Sequence, residues 1–365
     1  MPNQKTEMRG LQPEVMVREI EGLAADLRGL APVFDRQIRT LLPPVEWTSV
    51  KKVYLTGAGD SYHASCAAEM AFETVADVTC QPMSAQRFLD YGAAWMRQAA
   101  PHRIMVIATS ASGETKRVIQ AIERAKEHGA LTLALTTTPH SAVTHVADHT
   151  IAVELVQKER CPGIRTYQAS LIGMLLVAIQ LGEMRDNYCP EKADLLRKEL
   201  AALSNVVDAT NNTIKARCRE VAEMISDASA MAMLGSGPSY GTALSAAAKV
   251  VEAAGLFAIG QDLEEWWHVE RFAYPIDMPV FVIAPLGRSH WRASELSATA
   301  RRLGRRVIAV THKDDLEVTR HACAVLPVEG DVREEFSPLL YRLFANYVAS
   351  YLTERLGRLL FQSGR

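Results

Sequence analysis

Two groups of residues in this chain have the types and spacing that chemistry needs. The first is Ser110-Ala111-Ser112-Gly113-Glu114-Thr115, which with Thr109 places four hydroxyls in seven residues around one glycine. Hydroxyls and the free backbone N–H groups of a helix start are neutral donors that hold an anion without a metal. The loop carries neither G-x-x-x-x-G-K-[ST] nor G-x-G-x-x-G, which points to a small phosphorylated ligand rather than ATP or a dinucleotide. The plainer reading is a helix cap, with Ser112 as the capping residue. The second group is Lys249 and Glu252, three apart and so on one helical face. Asp262, Glu264, Glu265, Trp266, Trp267, His268 and Glu270 follow closely. A surface ion pair is the plainer reading of Lys249 and Glu252, but the flanking Ala and Val residues make a poor solvated face. Carboxylate, ammonium and imidazole are the groups of general acid–base catalysis.

The elements that must position these groups are legible around them. Ile104–Ala108 is a short, branched apolar run that predicts a buried strand. After the hydroxyl loop, Val118, Ile119, Ile122 and Ala125 recur at helical spacing. Lys51–Leu55 predicts a strand, Thr56–Ser61 a glycine turn with Gly57 and Gly59, and Tyr62–Phe72 a helix of small residues. Strands are predicted again at Leu131–Leu135 and Ile151–Leu155, with a turn over Thr136–His140 between them. Alternating strands and helices argue for a parallel α/β sheet, whose ligands sit beyond the carboxyl ends of the strands. Upstream, Val17, Ile20, Leu23, Leu27 and Leu30 give an amphipathic helical arm, closed by Pro43-Pro44. Residues 159–165 read as a loop, Tyr167–Leu181 as a buried helix, and residues 191–230 as two amphipathic helices.

The pattern then restarts. AMAMLGSGPSY, residues 230–240, repeats VYLTGAGDSY: Gly57, Gly59, Ser61 and Tyr62 recur as Gly235, Gly237, Ser239 and Tyr240, always 178 residues on. Val280–Ala284 and Val307–Thr311 continue the correspondence, so the chain is an internal duplication. The second copy has Pro285-Leu286-Gly287-Arg288-Ser289 where the first has its hydroxyl loop. It is expected to have lost the phosphate site, with Arg288 the one group there suited to an anion.

Composition bounds the rest. The chain has 365 residues, 48% of them hydrophobic, and a net charge of −2. That supports two domains with real cores and gives no basic block for nucleic acid. Six cysteines lie scattered without a CxxC pair, which argues against structural zinc and a disulfide framework. The polar start MPNQKTEMRG lacks a secretory pattern, and the longest apolar run, Ala169–Leu181, is short of membrane length. A cytoplasmic protein is expected, with no membrane partner.

On these motifs the chain resembles the tandem sugar isomerase (SIS) domain family, from its N-terminal arm to about residue 350. It is similar to the isomerase half of glucosamine-6-phosphate synthase and to that enzyme's deglycase and deaminase relatives. The resemblance implies an α/β fold of two tandem domains, each a parallel five-stranded sheet flanked by helices in three αβα layers. The expected boundaries are a helical arm over 1–48, a phosphate-binding domain over 49–200 and a catalytic domain over 201–365. It also implies that Ser110, Ala111, Ser112, Gly113 and Thr115 hold a sugar 6-phosphate, with Gly59 and Ser61 beside them. Glu252 of the Lys-x-x-Glu helix becomes the proton shuttle, assisted by Lys249, and His268 opens the sugar ring. In the family that histidine comes from the neighbouring subunit, which implies a homodimer with a shared site. No cofactor and no metal is implied.

The chain also departs from the synthase. It begins Met1-Pro2 with no nucleophilic cysteine domain ahead of it, and its tail has no lysine after Lys313. Gly163-Ile164-Arg165-Thr166-Tyr167 replaces a Val-Ala-Ser-Thr-Lys loop, and Trp266-Trp267 precede the histidine. Glucosamine synthesis from glutamine is therefore not expected. Arg165 is expected to bind the carboxylate of an amino acid joined to the sugar, which favours a deglycase of a 6-phosphorylated fructose-amine (Amadori) compound. The alternatives are an amino-sugar-6-phosphate deaminase or isomerase, a plain aldose–ketose isomerase, and a non-catalytic sugar-phosphate-binding module. The roles of Trp266, Trp267, Glu264, Glu265 and Glu270 stay open.

Overall fold

Ten strands form two sheets in the computed structural model, which describes residues 10–98 and 103–364. The polar first nine residues lie outside that range. The first sheet contains β1 (Lys52–Gly57), β2 (Thr79–Ser84), β3 (Ile104–Thr109), β4 (Leu131–Thr136) and β5 (His149–Ala152), all parallel, in the order β2-β1-β3-β4-β5. The second contains β6 (Ala230–Leu234), β7 (Phe257–Gln261), β8 (Pro279–Ala284), β9 (Arg306–His312) and β10 (Ala324–Val328). They too are parallel, in the order β7-β6-β8-β9-β10. The two orders are the same order, so the duplication seen in the glycine turns extends to the whole topology. Helices flank each sheet, which gives the expected three-layer αβα fold twice.

Three strands, β2, β7 and β10, carry too little signal to be predicted. All three are edges. An edge strand is covered on fewer sides than a central one, so its apolar run is broken, and it tolerates proline. Pro82 stands in β2 and Pro327 in β10. The central strands β3, β4 and β8 are buried at every position. The two helices expected over 191–230 are one helix, Pro190–Met224. No glycine or proline follows Pro190 within it to break the backbone hydrogen bonding.

The chain divides into two compact units. Of the described residues, one unit comprises those within 24–156 and 165–204 and holds the first sheet; the other comprises residues 10–23, 157–164 and 205–364 and holds the second. The arm expected over 1–48 is not a unit of its own. Ile20 and Leu27, both fully buried, fall in different units. Residues 157–164, a strap between two parts of the first unit, belong to the second.

Within the first unit the helix Arg165–Met184 is apolar and long enough to cross a membrane by composition, beyond the shorter run read from the sequence, yet 94% of its most apolar 18-residue window is buried. Gly173 lets it approach the sheet: a Cβ there would meet Leu135 at 2.7 Å. The neighbouring helix Asp60–Thr74 packs against it and carries Glu69, whose carboxyl is pushed up to about 7 by burial and by Glu73 one turn on.

The sign follows from linkage. A carboxyl raised in the folded state favours the protonated form, so the stability it contributes is present below its ordinary value of 4.5 and is lost as pH rises through about 7. Glu69→Gln, a mimic of the protonated acid, is expected to match wild type near pH 4.5 and to become the more stable protein as pH rises to 7. Urea unfolding at several pH values measures this, and parallel curves for the two proteins would refute it.

Candidate active site

β3 runs straight into the hydroxyl loop. Ser110 leaves the strand with its N–H donating to the Leu135 carbonyl of β4 (3.0 Å). The Gly113 N–H closes a tight turn onto the Ser110 carbonyl (3.1 Å), so it does not serve as the free anchor that the sequence suggested. Gly113 acts through its conformation instead. Its φ is +68°, and a Cβ would stand 1.8 Å from the Ser141 Oγ, so only glycine fits. The loop is braced from behind by the threonine run after β4. The Thr137 and Thr138 hydroxyls donate to the Ala111 carbonyl at 3.0 and 2.9 Å. Glu114 accepts the Ala142 N–H (3.0 Å), which fastens the loop's far side.

The helix Lys116–Glu127 starts at the loop's end with Thr115 in the capping position, and the Thr115 side chain makes no capping bond. Simple capping by Ser112 therefore does not account for these hydroxyls. The Ser110 Oγ donates to the Thr115 Oγ1 (3.1 Å), and Ser112 is exposed. Two exposed cations, Lys116 and Arg117, fill the helix's first turn. Cations there oppose the helix dipole, an arrangement that a bound anion reverses. This basic turn was not recognised from sequence, although Lys116 and Arg117 adjoin the motif, nor were Thr137, Thr138 and Ser141, which lie beyond the next strand.

β1 ends in the first glycine turn, one strand away. Gly59 has φ +55° and ψ −126°, and Gly57 lies so close to the turn that a Cβ would meet the Ser61 Cβ at 2.7 Å. Ser61 is buried beneath the turn. Gly235 and Ser239 repeat this packing at 2.7 Å, and Gly237 repeats the backbone at φ +57°, ψ −131°. The serine is thus common to a turn with a hydroxyl loop and a turn without one.

The second unit carries the residues expected to do acid–base work. Lys249, on the helix Pro238–Ala254, is completely buried, and its ammonium pairs with the carboxylate of Glu252, whose side chain keeps about a third of its surface exposed (35%). The pair is not the solvated surface bridge of the plainer reading. One turn earlier Ser245 accepts from Arg342 Nε (2.7 Å), and Arg342 Nη2 donates to the Gly163 carbonyl (2.6 Å). This fastens the strap 157–164 to the Lys249 helix. The strap's other end is held where the Glu159 N–H donates to Glu19 (2.9 Å) and Arg18 pairs with the Glu159 carboxylate (2.7 Å). Between them the Cys161 thiol is pushed up to about 12, first by burial and then by Glu19, against the opposing charges of Lys249 and Arg342.

Arg165, expected to meet a substrate carboxylate, is engaged elsewhere. Its guanidinium grips both oxygens of Asp26 (2.5 and 2.7 Å) and the Val156 carbonyl (3.0 Å), and its side chain is only 11% exposed. The negative charge expected from a ligand is supplied by the protein itself.

His268 ends the short helix Leu263–His268, which Asp262 caps by accepting the Glu264 N–H (2.9 Å). The imidazole Nε2 lies 3.0 Å from Glu264 Oε1, and Arg292 holds the other oxygen of that carboxylate (2.7 Å). His268 is exposed, with 62% of its side chain open. The two tryptophans separate: Trp266 is core, packed among Leu234, Val282 and Leu296, whereas the Trp267 ring lies against the guanidinium groups of Arg271 and Arg292. Glu265 is exposed, and Glu270 accepts from Gln261 (2.9 Å). In the second copy's loop, Glu334 accepts the Arg288 N–H (3.1 Å) and lies against Gly287. Among the described residues, no group of three His, Cys, Asp or Glu side chains stands ready to hold a metal ion.

Residues 47–179 match the SIS domain family model. The chain is 27% identical over 286 residues to a glutamine–fructose-6-phosphate aminotransferase (isomerizing) of Streptomyces coelicolor, covering 77% of this chain and 45% of the relative. It spans about half the length of such curated relatives and is homologous to their isomerase domain. Among solved structures it superposes on the C-terminal domain of glucosamine-fructose-6-phosphate aminotransferase from Francisella tularensis with a TM-score of 0.83 at 15% identity, covering 94% of this chain and 96% of that one. Glucosamine-6-phosphate deaminase from Thermotoga maritima gives 0.72 at 17% identity, with 94% and 95% covered. At these identities the structural likeness establishes the fold.

Two outcomes follow from the local geometry. Gly113→Ala is expected to lower stability by on the order of 3 kcal/mol, which urea unfolding reads. Glu252→Gln leaves Lys249 buried without its carboxylate and is expected to cost about 2 kcal/mol, much of which Lys249→Met restores in the double variant. Additive losses in that cycle would show that the two side chains are not coupled.

Proposed function

We propose that this protein is a phosphosugar enzyme of the aldose–ketose type, working at C1 and C2 of an open-chain sugar 6-phosphate. One observation carries the reading. Lys249 is fully buried, at a position where a core helix needs no charge, and it spends its ammonium on a carboxylate that still faces solvent. A lysine so placed fixes Glu252 for use. The SIS match over 47–179 and the homology to an isomerase domain supply the substrate class.

In this reading Ser110, Ser112 and Thr115, with the basic first turn at Lys116 and Arg117, anchor the phosphate. Binding energy at that remote end then positions the reacting carbons. His268, oriented by Glu264, moves a proton at the ring oxygen so that the sugar opens. Glu252 takes the proton from one of C1 and C2 and returns it to the other through an enediol, or an enaminol where the substrate carries nitrogen. The exposed imidazole suits a homodimer in which His268 serves the site of a second copy. The deglycase reading lost its motivating residue when Arg165 proved to be held by Asp26, so a fructose-amine 6-phosphate is one substrate class to test among others.

The experiment is product detection by mass spectrometry with fructose, glucose, glucosamine, galactosamine and fructose-amino acid 6-phosphates. Interconversion or amine release by wild type, abolished in Glu252→Gln, is the expected result. Mixing Glu252→Gln with His268→Asn should restore part of the activity that each lacks alone if the site is shared. Binding without turnover of any member would replace the enzyme reading with a sugar-phosphate-binding module.

A further inference from the structure

The two copies share one turn, so the positions where they differ separate what the fold requires from what a ligand requires. The residue after the positive-φ glycine is Asp60 in the first copy and Pro238 in the second. The backbone at that glycine is nevertheless the same, φ/ψ of 55°/−126° and 57°/−131°, and a helix starts directly after it in both copies. Three residues further on, His63 corresponds to Gly241. Neither the carboxylate nor the imidazole is needed to build the turn. They face each other, with His63 Nδ1 3.9 Å from Asp60 Oδ1, and both side chains are mostly covered, at 17% and 18% exposure.

This pair is confined to the copy that carries the hydroxyl loop. β1 and β3 are neighbours, paired through Thr56 and Ala108, so the segments leading to Asp60 and to Ser110 leave the sheet one strand spacing apart, roughly 4.8 Å. A carboxylate beside a phosphate seat repels the phosphate. That repulsion is offset when the same ligand also carries a positive charge. Asp60 and His63 are absent in the second copy, where Glu334 closes the corresponding loop.

We propose that Asp60, oriented by His63, is the specificity-determining residue that receives a protonated nitrogen on the sugar phosphate, so that amine-bearing phosphosugars are preferred over neutral ones. The assignment rests on the phosphosugar reading above and decides within it. The ammonium donates a charge-assisted hydrogen bond to the Asp60 carboxylate, and no bond is made or broken by the pair.

The test is calorimetric titration of the full chain with glucosamine 6-phosphate and with glucose 6-phosphate near neutral pH, in the Glu252→Gln background so that ligand is not consumed. The parent is expected to prefer the amine by about tenfold. Asp60→Asn and Asp60→Ser, which both suit a helix start, should bring that ratio to about one by weakening the amine-bearing ligand relative to the neutral one, whose binding is unchanged or tighter once the repulsion is gone. Equal weakening of both ligands would mean that Asp60 serves only the helix start, and overturns the assignment. A parent that binds both ligands equally overturns it too, while phosphosugar binding stands. Binding of neither ligand overturns the phosphosugar reading and this assignment together.

Discussion

Parallel pairing is the constraint on which the rest of this structure depends. Strands that run the same way deliver all their carboxyl ends to one edge of the sheet, and the helices that return the chain must start there. Each sheet has the same strand order, so each copy collects its glycine turn and its β3- or β8-type loop at that edge. The glycine turns and the hydroxyl loop are placed by this rule, whereas Lys249 and Glu252 lie near the far end of the helix Pro238–Ala254. The turn at Gly57 and Gly59 and the hydroxyl loop at Ser110 belong to one edge because β1 and β3 are hydrogen-bonded neighbours.

Electrostatics then distinguish two copies that the backbone makes alike. In the first, neutral hydroxyls and a basic helix start leave a place that favours an external anion. In the second, Glu334 brings the negative charge from within the chain, its carboxylate accepting the backbone N–H of Arg288. The same substitution of an internal partner for a ligand occurs at Arg165, where Asp26 fills the guanidinium fork. Lys249 shows the opposite case: an ammonium removed from water, where a charge must be paired, holding a carboxylate that remains accessible. Arg165 and the Glu334 loop are thus filled from within the chain, while Glu252 keeps part of its surface open to solvent.

Packing explains why the glycines and serines of the motifs stand where they do. Gly57 and Gly235 admit the serine beneath each turn, and Gly113 admits Ser141 behind the loop. These contacts are steric and would be needed with or without a ligand. Ser61 therefore belongs first to the turn, as Ser239 does. The residues specific to the first copy, Asp60 and His63 together with the loop hydroxyls, carry the stronger claim to recognition.

The sequence by itself determined the α/β class, the duplication at a spacing of 178 residues, the buried central strands and the strand–loop–helix around Ser110. All of these are local patterns: an apolar run, a helical period or a repeated glycine pair is complete within about twenty residues. The Lys249–Glu252 pairing was legible for the same reason, since three residues on a helix define one face. Tertiary structure alone decided the edge strands, whose partial burial and prolines erase the apolar run. It also decided that the strap 157–164 belongs with the second unit, through Glu159 to Arg18 and Glu19, and through Gly163 to Arg342. The fates of Arg165, Glu334 and the two tryptophans were settled the same way. A side chain's type states which bonds it can make, but its partner is drawn from any part of the chain. Arg165 and Asp26 stand 139 residues apart, a separation across which no local pattern reports.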